Sequence, residues 1–522
     1  GSIQDTTING GTTNLQGGSI QDTTINGGTT NLQGGNIQDT TVNGGVANLQ
    51  GGSIDNTTIK DGSVNVENDK VAVKDVAISG GTLNIAQNNG NYTIGGTLDI
   101  TGGTVNMMGG EAGSATATAT NSTLTIENLK GKGGSIVIDA DLNNLSNGSK
   151  VNIKNAESGA GGTIQIYDKN FSNGQALTES KKMLLVSDEK GTTDWSVKVL
   201  NDGGLWDVTP TIAKEGDDWY LTGETKEENA EVKTADSSIN SNFATWKNSI
   251  TNDTLRKRLG DLRLTGNAQQ GIWTHVKAGK LNGSGYDGNF QTYNLGYDVK
   301  KGNAIYGAAV DYTRGTSNFK NGSGENNRVG LNLYATSYHP SGVYSDFIIR
   351  AGKIKNSMTN ISGYNDRADW SNWGYSASYE QGKTFMHKNG WFFEPGAEIT
   401  LGRLQGSNFT TDKGVSVNTG AMNVVIGRLG FAMGRRVNNN CDYYLKGNVY
   451  REFAGSGSID LRAANGDSLH QDENHRDTWL ELGLGGNVKL SKNTYLYGDV
   501  TKTFGADINT KWQVNAGLRF AF

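Results

Sequence analysis

The last thirteen residues, Thr510 to Phe522, alternate strictly between two kinds of side chain. Trp512, Val514, Ala516, Leu518, Phe520 and Phe522 fall on one face of an extended strand. Gln513, Asn515, Gly517, Arg519 and Ala521 fall on the other. One such strand could cover a soluble core. Here the pattern recurs in twelve segments, at roughly 271–281, 289–300, 303–315, 325–339, 341–356, 369–386, 390–404, 420–436, 440–454, 476–491, 493–504 and 510–522. Tight turns such as Lys300 to Asn303 and Ser491 to Asn493 alternate with longer polar connections over 314–325, 356–370, 404–421 and 454–477. Short turns on one side and long loops on the other are the layout of a transmembrane β-barrel. The even count leaves both ends of the wall on one side, so the last strand is expected to pair with the one opening near Gly271.

The tenth segment separates the two faces most clearly. Leu480, Leu482, Leu484, Val488 and Leu490 would meet lipid, while Glu481, Gly483, Gly485, Asn487 and Lys489 would face inward. A charge on the lipid face at mid-membrane costs ~2–4 kcal/mol, which assigns the charged set to the lumen. Tyr306, Tyr312, Tyr334, Tyr338, Tyr344, Tyr443, Tyr495 and Tyr497 are candidates for interfacial girdles. A soluble β-sandwich also alternates, but it needs neither ten-residue spans throughout nor so polar an inner face. No apolar run approaches the ~18–20 residues of a membrane helix.

Composition narrows the remaining classes. Gly accounts for 75 of 522 residues and Pro for only 3, which suits many short strands joined by tight turns. Hydrophobic content is low at 34%, yet the net charge is only −5, so charge repulsion does not hold the chain open. With 47 Lys and Arg against 52 Asp and Glu there is no basic bias, and no nucleic-acid partner is expected. Cys441 is alone, so no internal disulfide or thiolate metal site is expected. The chain opens inside a repeat array without a charged-then-apolar leader, as a piece of a longer chain would.

That array is four copies of a 17-residue unit. Residues 1–17 and 18–34 are identical, and 35–51 and 52–68 vary the same theme. The aliphatic positions persist: Ile3, Ile8, Leu15; Ile20, Ile25, Leu32; Ile37, Val42, Leu49; Ile54, Ile59, Val66. Fixed-period self-similarity indicates a solenoid. Three apolar residues per unit suit three short strands per coil, each aiming one main side chain at a narrow core. Two alternatives stand beside this: a flexible polar repeat, which has no reason to keep those positions, and a calcium-binding repeat. In the second, Gly17 to Asp22 fits a G-G-x-G-x-D unit except that Ile20 replaces its third glycine.

Beyond the repeats the pattern loosens. Residues 114–120, SATATAT, read as a loop or a thin strand, and the coils lengthen from about Lys130. Trp195, Trp206, Trp219 and Tyr220 gather near the end, as the cap of an open hydrophobic section requires. Glu224 to Ser238 reads as a polar linker. Ile239, Phe243, Trp246 and Ile250 then follow helical spacing, continued less evenly by Leu255, Leu259 and Leu262. A surface helix would look the same. Its place between a solenoid and a barrel instead suggests a helix threading the polar lumen.

Catalytic chemistry is thin. Gly466-Asp467-Ser468-Leu469 spells an esterase motif with His470 beside it, but a serine nucleophile needs a base held by the fold and an oxyanion hole. The five histidines, His275, His339, His387, His470 and His475, show no metal-ligand spacing beyond a loose pair, His470 and His475. No catalytic, metal or cofactor site is expected. Asp298, Arg350, Glu481 and Arg519 are expected to hold the helix.

These residues resemble a known family. The chain is similar to the C-terminal part of a type Va autotransporter. Leu255 to Arg263 followed by Gly271-Ile272-Trp273 resembles the family's entry into its first strand. Asn465-Gly466 and Trp479 to Gly485 resemble its late strands, and Phe522 its terminal aromatic. Residues 130–222, through Asp202-Gly203-Gly204 and Trp219-Tyr220-Leu221, resemble the pertactin-like autochaperone end of a passenger. The repeats resemble those of AIDA-type self-associating adhesins, with a shorter unit.

The resemblance implies an all-β chain: a right-handed parallel β-helix over 1–129 with its autochaperone end over 130–223, a linker and lumen helix over 224–264, and a twelve-stranded antiparallel barrel over 265–522. It implies an outer-membrane barrel in contact with lipid and a passenger at the cell surface, where it self-associates or binds a host or bacterial ligand. Phe520 and Phe522 would be the signal read by the outer-membrane assembly machinery. Phe243, Trp246, Ile250, Leu255 and Arg258 would belong to the lumen helix. Some members cut their passenger free at an Asn-Asn pair in this helix. The pair is absent here, and Asn252-Asp253 is the candidate that remains. The alternative is a stem and translocator for an enzymatic passenger, protease or esterase, lying upstream.

Overall fold

A computed structural model describes residues 1–85, 89–110, 118–141, 147–168, 182–200, 204–251, 253–265, 268–283, 285–360, 365–464 and 466–522. It divides into two compact units, one of Gly1–Glu227 with Ala464–Asp467, the other of Glu228–Ala463 with Ser468–Phe522.

The first unit is a parallel β-helix. Each repeat folds into three short strands, such as Ser19–Gln21, Thr24–Ile25 and Thr29–Leu32. Successive coils pair in parallel with equivalent residues in register: Ile3 on Ile20 on Ile37 on Ile54 in one column, Ile8 on Ile25 on Val42 on Ile59 in the next. The third column stacks Leu15, Leu32, Leu49 and Val66. From the second repeat onward these side chains are buried, each contributing roughly 1.5–3 kcal/mol. The reading of one inward side chain per strand falls short in the third strand, which aims two. Thr30, Ala47 and Val64 are buried beside the leucine column because that strand is four residues long.

The corners explain the conserved small and polar residues of the unit. Asp5, Asp22, Asp39 and Asn56 turn the chain with positive φ near 45°, a conformation that Asp and Asn tolerate. At Gly28 φ is 80°, and a Cβ there would lie 2.4 Å from the Gly11 carbonyl oxygen of the coil before. On the outer face asparagines form a ladder. Asn31 donates to Asn14 at 2.8 Å, Asn48 to Asn31 at 2.7 Å, Asn65 to Asn48 at 2.7 Å, Asn84 to Asn65 at 2.7 Å and Asn106 to Asn84 at 3.0 Å.

Two of the three columns merge at the long strand Asn91–Ile100, and coils beyond it carry fewer, longer strands. The unit ends in an antiparallel hairpin, Trp206–Glu215 with Asp218–Glu228, whose Trp219 and Leu221 pair antiparallel with Met183–Asp188. Lysines cover its aromatic faces: Lys226 lies 3.9 Å above the Trp206 ring and Lys182 4.5 Å above that of Tyr220. Residues 114–117, Asp202 and Gly203 lie outside the described residues. Thr118 forms an isolated bridge to Gly109.

The second unit is a closed antiparallel barrel. Its strands are β1 (Gln270–Gly283), β2 (Tyr286–Lys301), β3 (Ala304–Phe319), β4 (Gly322–Tyr338), β5 (Val343–Asn360), β6 (Arg367–Lys383), β7 (Trp391–Leu404), β8 (Met422–Asn438), β9 (Cys441–Arg462), β10 (Thr478–Lys489), β11 (Thr494–Phe504) and β12 (Asn509–Ala521). Each pairs with the next, and β12 closes on β1 from Gly271 opposite Ala521 to Asn282 opposite Asn509. Apolar side chains such as Leu429, Leu484 and Val329 stand exposed on the outside, while the polar set points inward.

Three expectations need correction. The polar run 314–325 is not a long loop, because β3 and β4 stay paired to Asn318 opposite Ser323. There the outward residues turn polar, and hydrophobic alternation disappears although the backbone ladder continues. The same happens on β9, which runs to Arg462 beside the strand Ser468–Asn474. Tyr334, Tyr344, Tyr495 and Tyr497 point inward rather than forming girdles, whereas Tyr306, Tyr312 and Tyr443 are exposed on the outer face. The supposed linker 224–238 is the end of the hairpin strand and, from Ala230, the start of a helix.

Candidate functional site

The helix α1 (Ala230–Thr251) fills the barrel lumen, and a short helix α2 (Leu255–Leu259) follows it. Asn229 caps α1 through its side-chain oxygen, which accepts the Val232 N–H at 3.0 Å. Two features make this polar sequence a lumen helix. Its small and amide residues bond directly to the wall: the Ser241 hydroxyl donates to the side-chain oxygen of Asn326 at 3.0 Å, and Asn242 to that of Asn372 at 3.3 Å. Its few large residues meet recesses. Trp246 is seated where a Cβ on Gly374 would lie 2.3 Å from the indole Nε1 and one on Gly402 2.9 Å from Cη2. Phe243 stacks on His475 at 4.3 Å, and Ile250 is buried beside Gly402.

α2 is the anchor. Arg256, Lys257 and Arg258 are consecutive, so they leave the helix in three directions about 100° apart. An exposed helix could pair only some of them with one surface. Here each meets a carboxylate from a different strand: Arg256 with Glu394 on β7 at 2.8 Å, Lys257 with Glu481 on β10 at 2.8 Å, and Arg258 with both oxygens of Asp346 on β5 at 2.8 Å. Leu255 and Leu259 pack against Trp273, Ile305 and Ile348, and the Leu255 N–H donates to Glu380 at 2.9 Å. Sequence reasoning singled out Leu255 and Arg258 but missed Arg256 and Lys257. The signal was the three-cation run opposite isolated inward carboxylates.

The other named residues divide. Arg350 pairs with Asp253 at 3.0 Å and Glu481 with Lys257, so both hold the helical segment. Asp298 and Arg519 instead clasp the closing seam. Arg519 on β12 reaches over β1 to Asp298 on β2 at 2.8 Å, passing Gly271, where a Cβ would lie 2.2 Å from the guanidinium. Trp273 and Tyr334 extend this network, with the Tyr334 hydroxyl donating to Asp298 at 2.8 Å. Phe520 and Phe522 lie on the outer face with rings 5.6 Å apart. Asn252 and Asn465 lie outside the described residues.

At the end of the lumen near the long connections, α1 presents carboxyls to carboxyls. Glu231 faces Asp366 and accepts from the Thr411 hydroxyl at 3.0 Å. Burial, then the hydrogen bond with Asp366, pushes Glu231 up to about 8. Asp236 faces Glu473, and burial followed by that neighbour's charge pushes it up to about 7. A cavity of about 180 Å³ remains beside α1, bordered by Asp236, Phe243, Lys247, His475 and Trp479.

The esterase-like stretch lacks catalytic geometry. Ser468 is exposed, and His470 turns to Asp460 on β9 at 2.6 Å, with no hydrogen bond to Ser468 among the described residues. His470 is exposed while His475 stacks inside, so the two do not converge. No cluster of three or more metal-ligating residues occurs among the described residues.

Residues 269–501 match the autotransporter beta-domain family. The pertactin autotransporter of Bordetella bronchiseptica is 32% identical over 284 residues, 51% of this chain and 30% of that protein. Serine protease EspC of Escherichia coli is 27% identical over 454 residues, 83% of this chain and 33% of that protein. The chain thus spans about a third of the length of these curated relatives. Among solved structures, the translocator domain of autotransporter NalP from Neisseria meningitidis aligns at 17% identity and a TM-score of 0.43, over 56% of this chain and 100% of that one.

Proposed function

We propose that this chain, whose residues 269–501 match the autotransporter beta-domain family, is an outer-membrane barrel that exports and displays the β-helix encoded with it, for adhesion or autoaggregation. One observation carries the reading: a single residue, Asn229, separates the last strand of the β-helix from α1, and α1 lies inside a closed, lipid-facing barrel. A chain so connected has its membrane path built into it. The stacked coils offer rows of Asn and Thr at constant spacing, a surface suited to repeated weak contacts with a ligand or with a second copy. Cells displaying the chain should settle faster than cells displaying one that lacks residues 1–68, and equal settling would remove the adhesive role. A second reading, a stem presenting an upstream enzyme, is favoured by the match to a serine protease over 83% of this chain. Proteolysis by cells displaying a longer natural chain, absent from those displaying this one, would select it.

Assembly is proposed to use the last strand. Phe520 and Phe522 are large and exposed toward the C-terminal end of β12, where an assembly factor would reach them before β12 pairs with β1. Phe522→Asp should lower the amount of barrel in the outer membrane, read as heat-modifiable protein per cell, and unchanged insertion would count against this role. Asp253, already paired with Arg350, is proposed to secure the plug rather than to cleave the chain.

A further inference from the structure

Cations on the outside of the barrel differ in whether a carboxylate meets them. Toward the rim with the long connections, Lys280 on β1 is matched by Asp287 at 2.8 Å, and Arg314 on β3 lies 3.9 Å from Glu325. On β5 and β7, Lys353, Lys355 and Arg403 are exposed, and none of them has a carboxylate in ion-pair reach among the described residues. Glu325 and Asp369 stand one residue pair further toward the rim. Lys353 lies opposite Trp373 on β6, and Arg403 lies opposite Tyr375. The two cations therefore flank an aromatic pair from strands about 10 Å apart. The rings of Trp373 and Tyr375 are parallel within 7°, with centroids 6.1 Å apart, and both residues are about two-fifths exposed. Asn423 accepts from Arg403 at 3.0 Å and orients the guanidinium.

Such a patch cannot lie in hydrocarbon, where each charge would cost ~2–4 kcal/mol. Exposed Trp and Tyr mark the level of lipid headgroups. We propose that this face of β5–β7 binds the phosphorylated sugar headgroup of a glycolipid in the leaflet beneath the long connections. The cations complement phosphate, and the fork of Arg403 suits two of its oxygens. The stacked rings offer a flat, electron-rich face to sugar C–H groups, which the headgroup of a simple phospholipid would leave unused. The inference needs only a membrane-embedded barrel and stands apart from what the β-helix does.

The test uses the full chain refolded in phosphatidylcholine vesicles. One set contains a diphosphorylated diglucosamine lipid, a second contains phosphatidylglycerol at matched charge. The readout is the temperature at which the compact, fast-migrating form is lost on gels. The glycolipid should raise it by about 3 °C or more above the phosphatidylglycerol set. The triple substitution Lys353→Ser, Lys355→Ser, Arg403→Ser should abolish that difference, and Trp373→Ala should reduce it. Equal effects of the two lipids on the unaltered chain would overturn the proposal whether or not the variants fold. So would a triple variant that folds and keeps the full shift.

Discussion

At the scale of single residues, the plug is held by pairs that are costly to break. Lys257 and Glu481 are both buried, and removing one partner from such a pair costs roughly 3–5 kcal/mol because the other charge stays behind. Lys257→Met should therefore loosen α2 and raise the ionic conductance of the barrel in planar bilayers. Adding Glu481→Gln should restore much of the block, since the carboxylate left with only the more distant Lys446, at 3.9 Å, is gone. Conductance unchanged by Lys257→Met would mean that Arg256 and Arg258 suffice. These partners were only half legible in the sequence. Alternation placed Glu481 inside, and helical spacing selected Phe243, Trp246 and Ile250. Nothing in spacing alone shows which inward carboxylate meets which cation, because strand register and tilt decide that. The seam clasp of Arg519 and Asp298 was hidden for the same reason: it depends on Gly271 leaving room between strands that are not sequence neighbours.

At the scale of elements, the upper turns of α1 should respond to pH. Glu231 and Asp236 both carry raised pKa values, about 8 and about 7, so their protonated forms are favoured in place. A raised folded-state value gives stability that is complete below the ordinary carboxyl range and is lost as pH rises through the raised values. Hydrogen exchange of amides 230–240, corrected for intrinsic rate, should be slow near pH 5.5 and faster above about pH 8. Protection independent of pH in that range would show that the carboxyl pairs do not govern the seating. The same residues explain why the helix start escaped the sequence reading. Amphipathic periodicity reports burial against apolar surface, whereas these turns bury Glu231 and Thr234 among polar loops. The barrel strands show the complementary failure, since β3, β4 and β9 continue past the apolar band.

At the scale of the whole molecule, the twelve-strand count, the solenoid repeat and the helix between them were all readable, because each rests on a period that many residues share. The merging of two solenoid columns at Asn91–Ile100 was not, since it follows the end of the strict repeat. The repeats and the short turns of the barrel should occupy opposite sides of the membrane, and the chain's single cysteine allows a direct test. Cys441 opens β9 at a short turn, on the side opposite the long connections. Gln50 is an exposed corner of the repeats. Cells producing the unaltered chain, or a Gln50→Cys, Cys441→Ser variant, would be treated intact with a membrane-impermeant maleimide. Labelling is expected at position 50 on intact cells and at Cys441 only after the outer membrane is permeabilised. Labelling of Cys441 on intact cells, or of position 50 only after permeabilisation, would contradict this arrangement.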